Sequence, residues 1–361
     1  MLPPGTIDAV LLLALTGPGP DLAVHTPAPW RSPAPERRFT LDAINDGFAT
    51  WYDEGYSSGV RVLARGGPPI DALALGRALG AGLRRRLVAE YWTGGIAHDI
   101  WTPTDLTADE VRFLEGDRPY AGLLSGELST DLVFRGALTA GGYTRVSAKL
   151  MAGVTGKWSL SQPIQKRVHS VLRVFTGAEY PIDPQGWGIY EVPETVLVNL
   201  RFGVETEVLR VRAPSGWSGL THAPLGARAT ARSDCDLGTF RVGCEIGTMV
   251  RMGWMPELTL DGATPIVEGE EAALPLNGHV FAGTRMGVVL FDALLDGPIG
   301  TDGPTANRRL VRARLEFGFL VQLWDVEASY TYIVETNEQS PLPEYALSFQ
   351  RMGQVKLSYH Y

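Results

Sequence analysis

No apolar run reaches the ~18 residues that a membrane-crossing helix needs, which excludes a helical spanning segment. Positive charge is not in excess either. Against 40 acidic residues stand 32 basic ones, and the net charge of −8 leaves nucleic-acid binding without support. Charged residues make up only 20% of the chain. Cysteine is nearly absent: Cys235 and Cys244 flank a turn expected at Asp236-Leu237-Gly238. Cross-strand pairing in an oxidising compartment and two free thiols both fit, and one such pair is not a zinc signature. Histidine is scarce at six.

Glycine is abundant at 42 residues, accompanied by 9 Trp and 12 Tyr. Many strands, glycine turns and interfacial aromatics give that profile, and so does a soluble β-sandwich enzyme. A length of 361 residues suits one large all-β domain or two ordinary ones. The apolar run Ile7–Leu15 has the length of a signal-peptide core, but no Lys or Arg precedes it. Residues 1–36 read as an export signal with an unstructured leader, against a disordered cytosolic tail. Residues 37–361 read as one domain.

Period-two patterning decides the fold class. From Leu347 to Tyr361, Leu347, Phe349, Val355, Leu357, Tyr359 and Tyr361 alternate with Ser348, Gln350, Gln354, Lys356 and His360. Val311–Leu323 does the same, with Arg312, Arg314 and Glu316 on its polar side. Strands this long are rare in sandwiches, whereas a membrane strand needs about 9–11 residues in hydrocarbon plus its ends. Charges inside long strands are costly in a dry core and cheap in a wet lumen. The pattern predicts a 12-stranded antiparallel transmembrane β-barrel, all-β, with strands at 38–48, 57–66, 87–101, 119–135, 141–155, 194–211, 222–235, 238–254, 278–292, 308–322, 324–336 and 345–361. Periplasmic termini make the loops 49–56, 102–118, 156–193, 236–237, 293–307 and 337–344 extracellular. The 67–86 connection looks helical from Ile70 to Leu83 and lies on the periplasmic side. A second short helix is expected near Gln162–Leu172, with Pro163 in its first turn.

Candidate chemistry gathers at the outer end. Gln165 and His169, at i and i+4, share one face of that helix. A neutral imidazole there suits a general base for water, and a packing histidine is the bland alternative. Asn45 and Asp46 end the first strand and offer hard oxygen ligands, or simply an Asx turn. Strict alternation would turn Asn45 outward and Asp46 inward, unless a bulge re-aims one. Ser57 opens the next strand without a nucleophile-elbow motif, so it fits an orienting role better. Glu179 is a further carboxylate in the long loop. Arg118 suits bidentate phosphate binding, or an ion pair with Asp117 that fixes the loop.

The ordered set Asn45-Asp46, Tyr56-Ser57-Ser58-Gly59, Ile96–Pro103, Asp117–Gly122, Gln165-x-x-x-His169, Gly177–Pro181 and Leu295-Asp296-Gly297 resembles the outer-membrane lipid A 3′-O-deacylase family. The resemblance runs from about residue 38 to 361. It implies a twelve-stranded barrel and a Ca²⁺-dependent hydrolase acting on lipid A, or lipopolysaccharide, in the outer leaflet of the bacterial outer membrane. Carried over, His169 would activate water, and Asn45 and Ser57 would complete the catalytic group. Asp46 and Glu179 would hold Ca²⁺, while Arg118 and Gln165 would contact substrate. A monomer among outer-membrane lipids is expected. The competing readings are a non-catalytic barrel that binds or passes solutes or is structural, and a phospholipase on the same barrel.

Overall fold

The computed structural model describes residues 37–49, 55–66, 86–111, 116–136, 138, 142–176, 183–212, 225–255, 276–340 and 348–361. Twelve strands close into one barrel. They are β1 (Arg38–Asn45), β2 (Gly55–Gly66), β3 (Leu87–Thr102), β4 (Ala121–Arg135), β5 (Tyr143–Val154), β6 (Val196–Arg212), β7 (Leu225–Gly238), β8 (Arg241–Trp254), β9 (Leu276–Asp292), β10 (Val311–Leu323), β11 (Val326–Thr336) and β12 (Phe349–His360). Each pairs antiparallel with its sequence neighbours, and β1 closes on β12 from Arg38↔His360 to Asn45↔Gly353. Helix α1 (Ser161–Thr176) follows β5, and the short α2 (Ala293–Asp296) follows β9.

Side-chain alternation sorts the wall into two faces. On β10, Val311, Leu315, Phe317, Phe319, Val321 and Leu323 are exposed, while Arg312, Glu316 and Gln322 between them are buried. Lipid tails take the first set and the lumen the second. Many lumen charges pair with one another across strands. Arg61 Nη2 lies 2.8 Å from Asp99, Arg285 Nη1 3.0 Å from Glu245, and Arg232 pairs with Glu316. Below the outer mouth, a cavity of ≈ 240 Å³ lies among such residues. Tyr359 and Tyr361 stack at the opposite end with ring centres 6.3 Å apart, at the place of an interfacial aromatic girdle.

The twelve expected strands are all present, their ends shifted by a few residues. The largest revision is at the β7–β8 hairpin. The turn falls at Thr239–Phe240, not at Asp236-Leu237, because Asp236 still belongs to the ladder and accepts a bond of 2.8 Å from Asn199 Nδ2. Cys235 therefore faces Cys244 directly in the register, and the two form a disulfide. The expected Ile70–Leu83 helix lies outside the described residues.

An arginine at outward-facing Phe317, mid-strand on β10, should destabilise the inserted barrel by about 2–4 kcal/mol. Reversible denaturant unfolding of Phe317→Arg in lipid vesicles measures this. A matched change at lumen-facing Gln322 should cost far less.

Candidate functional site

Polar residues gather on the outer wall at the ends of β1, β2 and β3. On β1, Phe39 and Leu41 are exposed outward, and two more steps of the same parity reach Asn45. On β2, Val62 and Val60 lead to Ser58; on β3, Ile96 leads to His98. The register places these together, with Asn45↔Ser58, Val60↔His98, Ser58↔Ile100 and Ile100↔Gly122 across four strands. All lie toward the rim that carries the long loops. Hydrocarbon would penalise bare polar groups there, so something must cover them.

Helix α1 is that cover. A short 3-10 turn, Gly156–Ser159, delivers the chain to it. His98 Nε2 lies 3.1 Å from the Ser159 carbonyl and 2.9 Å from Ser161 Oγ. A carbonyl only accepts, so the proton sits on Nε2. Ser159 Oγ and Ser161 Oγ are 2.9 Å apart. Gly122 permits the contact: a Cβ there would overlap both serine side chains. Along the helix, Ser161, Gln165 and His169 form the buried stripe, while Ile164, Val168, Val171 and Val174 are exposed. A helix on a water-soluble protein would bury the opposite side. This one turns its apolar stripe to the acyl chains and its polar stripe to the wall.

The buried stripe is oriented from behind. Trp187 Nε1 donates to Gln165 Oε1 at 2.8 Å, and the Trp187 ring packs on Tyr120 with centroids 4.9 Å apart. With its oxygen engaged, the Gln165 amide presents its NH2 group in the other direction. Leu106, Ala108, Ile100 and Tyr190 complete this apolar cluster beneath the loops.

Asn45 caps a 3-10 turn, Asp46–Phe48, and its side chain accepts the Gly47 N–H at 2.7 Å. That is the Asx-turn geometry. Asp46 is buried, and its Oδ1 also accepts from Gly47, at 2.7 Å. The turn folds over Gly353 of β12, where a Cβ would meet Phe48 Cβ at 2.5 Å, and Tyr330 donates to the Phe48 carbonyl at 3.0 Å. The bulge lies in β2, between Tyr56 and Ser58, and not in β1. Ser57 is the residue passed over there, and its side chain lies outside the described set, as does all of Glu179. Asp46 and His169 thus stand at the same rim.

Arg118 is on the other side of the wall. Its Nη1 lies 2.7 Å from Glu338, and its guanidinium sits 5.9 Å from the centre of the Trp101 ring, which lines the lumen cavity with Glu338. Asp117, its neighbour, accepts the Arg118 backbone N–H at 2.7 Å but not the guanidinium, and also accepts from Thr104 N at 2.7 Å and Gln339 Nε2 at 3.0 Å. Burial alone would raise the Glu338 carboxyl, but the guanidinium groups of Arg312, Arg118 and Arg241 outweigh it and hold the group below its ordinary range. Among the described residues no three His, Cys, Asp or Glu converge on a point that would hold a metal. Sequence reasoning gave no role to Ser159, Ser161 or Trp187. Ser161 was within reach, since it precedes Gln165 and His169 on the same helical face at four-residue steps.

A family model described as "Outer membrane protein LpxR" matches residues 10–361. The chain belongs to the LpxR family. LpxR from Salmonella typhimurium has a similar fold, with a TM-score of 0.66 at 15% identity over 90% of this chain and 100% of that one. Weaker likenesses are the autotransporter β domain of Bordetella BrkA (TM-score 0.37, 11% identity, 90% of this chain and 98% of that one) and the translocator domain of Neisseria meningitidis NalP (0.38, 10%, 90% and 87%). No curated protein sequence matches. This LpxR-family chain is an outer-membrane barrel.

Gly122→Ala should lift α1 from the wall. Protease should then cut within 161–176 in the variant and not in the parent, while both keep the heat-modifiable migration of a folded barrel. Glu338 contributes stability that is fully present above its unfolded pKa, about 4.3, and is lost as the pH falls through its lower folded value. Glu338→Gln should therefore lower the thermal transition at pH 7, with the gap to the parent narrowing below about pH 4.

Proposed function

We propose that this chain is an outer-membrane lipid A deacylase that hydrolyses the 3′-linked acyloxyacyl ester, with His169 activating water. One observation carries the reading: a histidine and an amide are held beneath a helix on the lipid-facing wall, at the rim that carries Asp46. A solute channel would place its working groups in the lumen. An enzyme for an ester embedded in a leaflet needs them on the outer wall, in reach of that ester. Membership of the LpxR family supports the same conclusion.

The chemistry asks for a base and a polarised carbonyl. His169 takes a proton from water as the water oxygen adds to the ester carbon. The bond to the sugar oxygen then breaks, and the imidazolium returns the proton to that oxygen, leaving a free fatty acid and a sugar hydroxyl. Gln165, its amide fixed by Trp187, directs an N–H toward bound substrate. The donors nearest the hairpin, Asn45 and Asp46, are hard oxygens of the kind Ca²⁺ takes. Asp46 and Glu179 would hold the ion, with Asn45 and Ser57 completing the group. When bound, Ca²⁺ would draw electron density from the ester carbonyl. Burial beneath α1 limits competing water around His169.

His169→Ala should lower deacylation by at least about a hundredfold, with barrel migration on unboiled gels unchanged. Mass spectrometry of lipid A and of phospholipids from cells with and without the chain reads the outcome. Unchanged lipid A in cells making the parent protein would sink the activity, and a shortened phospholipid pool would redirect it to a phospholipase.

A further inference from the structure

Arg351 stands apart from every other strand cation. Across the twelve strands, alternation turns the described arginines and lysines to the lumen, where carboxylates meet most of them. On β12 the outward set is Phe349, Arg351, Gly353, Val355, Leu357 and Tyr359, and the inward set includes Gln350, Met352 and Gln354. Arg351 is exposed, and no ion pair or side-chain hydrogen bond joins it to another described residue. Its cross-strand partner on β11 is Val334, which is apolar. A bare guanidinium costs most in mid-bilayer and little at the interface. Arg351 lies near the extracellular end of β12, above the exposed Val355, Leu357 and Tyr359, which places it at the headgroup level of the outer leaflet.

The position is next to the site. Gly353, one outward step below Arg351, pairs with Asn45 of β1 and lies under Phe48 of the 3-10 turn. With strands about 4.8 Å apart, Arg351 stands one strand from Asn45 and two from Ser58, on the side away from α1. A headgroup lying over the end of β1 would touch His169 and its neighbours on one flank and Arg351 on the other. We infer that Arg351 binds a phosphate of the lipid substrate and sets the register of its sugar across the hairpin. The guanidinium offers a planar two-pronged donor that matches a phosphate, and nothing in the described structure competes for it. Arg118, by contrast, faces the lumen in its pair with Glu338. This assignment rests on the lipid A reading and specifies which chemical group on that substrate is recognised.

The test separates binding from turnover. The full-length parent, Arg351→Gln and Arg351→Lys are purified in a zwitterionic detergent, and native mass spectrometry measures retention of bisphosphorylated lipid A and of the same lipid A stripped of phosphate. Arg351→Gln should retain the phosphorylated lipid about tenfold less well, Arg351→Lys only a few-fold less, and both should match the parent on the stripped lipid. Equal retention of the phosphorylated lipid by the parent and Arg351→Gln would overturn the inference, as would an equal loss on both lipids. Ester cleavage is followed in the same samples. A parent that binds by this pattern but releases no fatty acid refutes the deacylase reading and leaves the phosphate site standing.

Discussion

In the hydrocarbon of a bilayer an unpaired backbone N–H has no water to turn to, so a sheet there must end on itself. The seam between β1 and β12 meets that demand. Eight residues of β1, from Arg38 to Asn45, find partners on β12 and on β2 at once. Because the seam runs up to Asn45, closure also fixes where the 3-10 turn begins and therefore where Asp46 sits. The turn is pinned from the β12 side by its packing on Gly353 and from the β11 side by Tyr330. The candidate site is thus built at the joint where the first and last strands meet, and it exists only once the circle is complete.

The second organising fact is the reversal of sides at one patch of wall. Elsewhere the outward set is largely apolar and, Arg351 apart, the described strand charges face the lumen. At the outer ends of β1–β4, Asn45, Ser58 and His98 face outward, and a helix with an inverted amphipathic pattern shelters part of them. Neither half makes sense without the other. His98 on bare wall would be an uncovered polar group among acyl chains, and α1 without the wall would have nowhere to place Ser161, Gln165 and His169. The small residue at Gly122 is the geometric permission for the two halves to meet.

Most of the architecture was legible in the alternation, because a barrel strand writes its two environments directly into alternate residues. Helix α1 was legible too, and Gln165 and His169 do share a buried face. What could not be read was direction. Arg118 sits beside Asp117 in the sequence, but it points through the wall to Glu338, a partner 220 positions away, and no local pattern encodes that choice. The bulge allowed for at Asn45-Asp46 is absent from β1 and lies in β2, since either strand of a pair can take it. The apolar stripe of α1 is its exposed side, because the surroundings are lipid.

The lumen holds its charges in shared custody. Glu338 answers to Arg118 at 2.7 Å, to Arg312 at 2.8 Å and to Arg241 at 3.5 Å, while Asp292 answers to Arg241 and Arg312 at 2.9 and 3.1 Å. Losing one member leaves several others uncompensated in a confined space. Drift along the lineage should then exchange interior charges in concert, several strands changing together, whereas the lipid-facing set can wander one residue at a time.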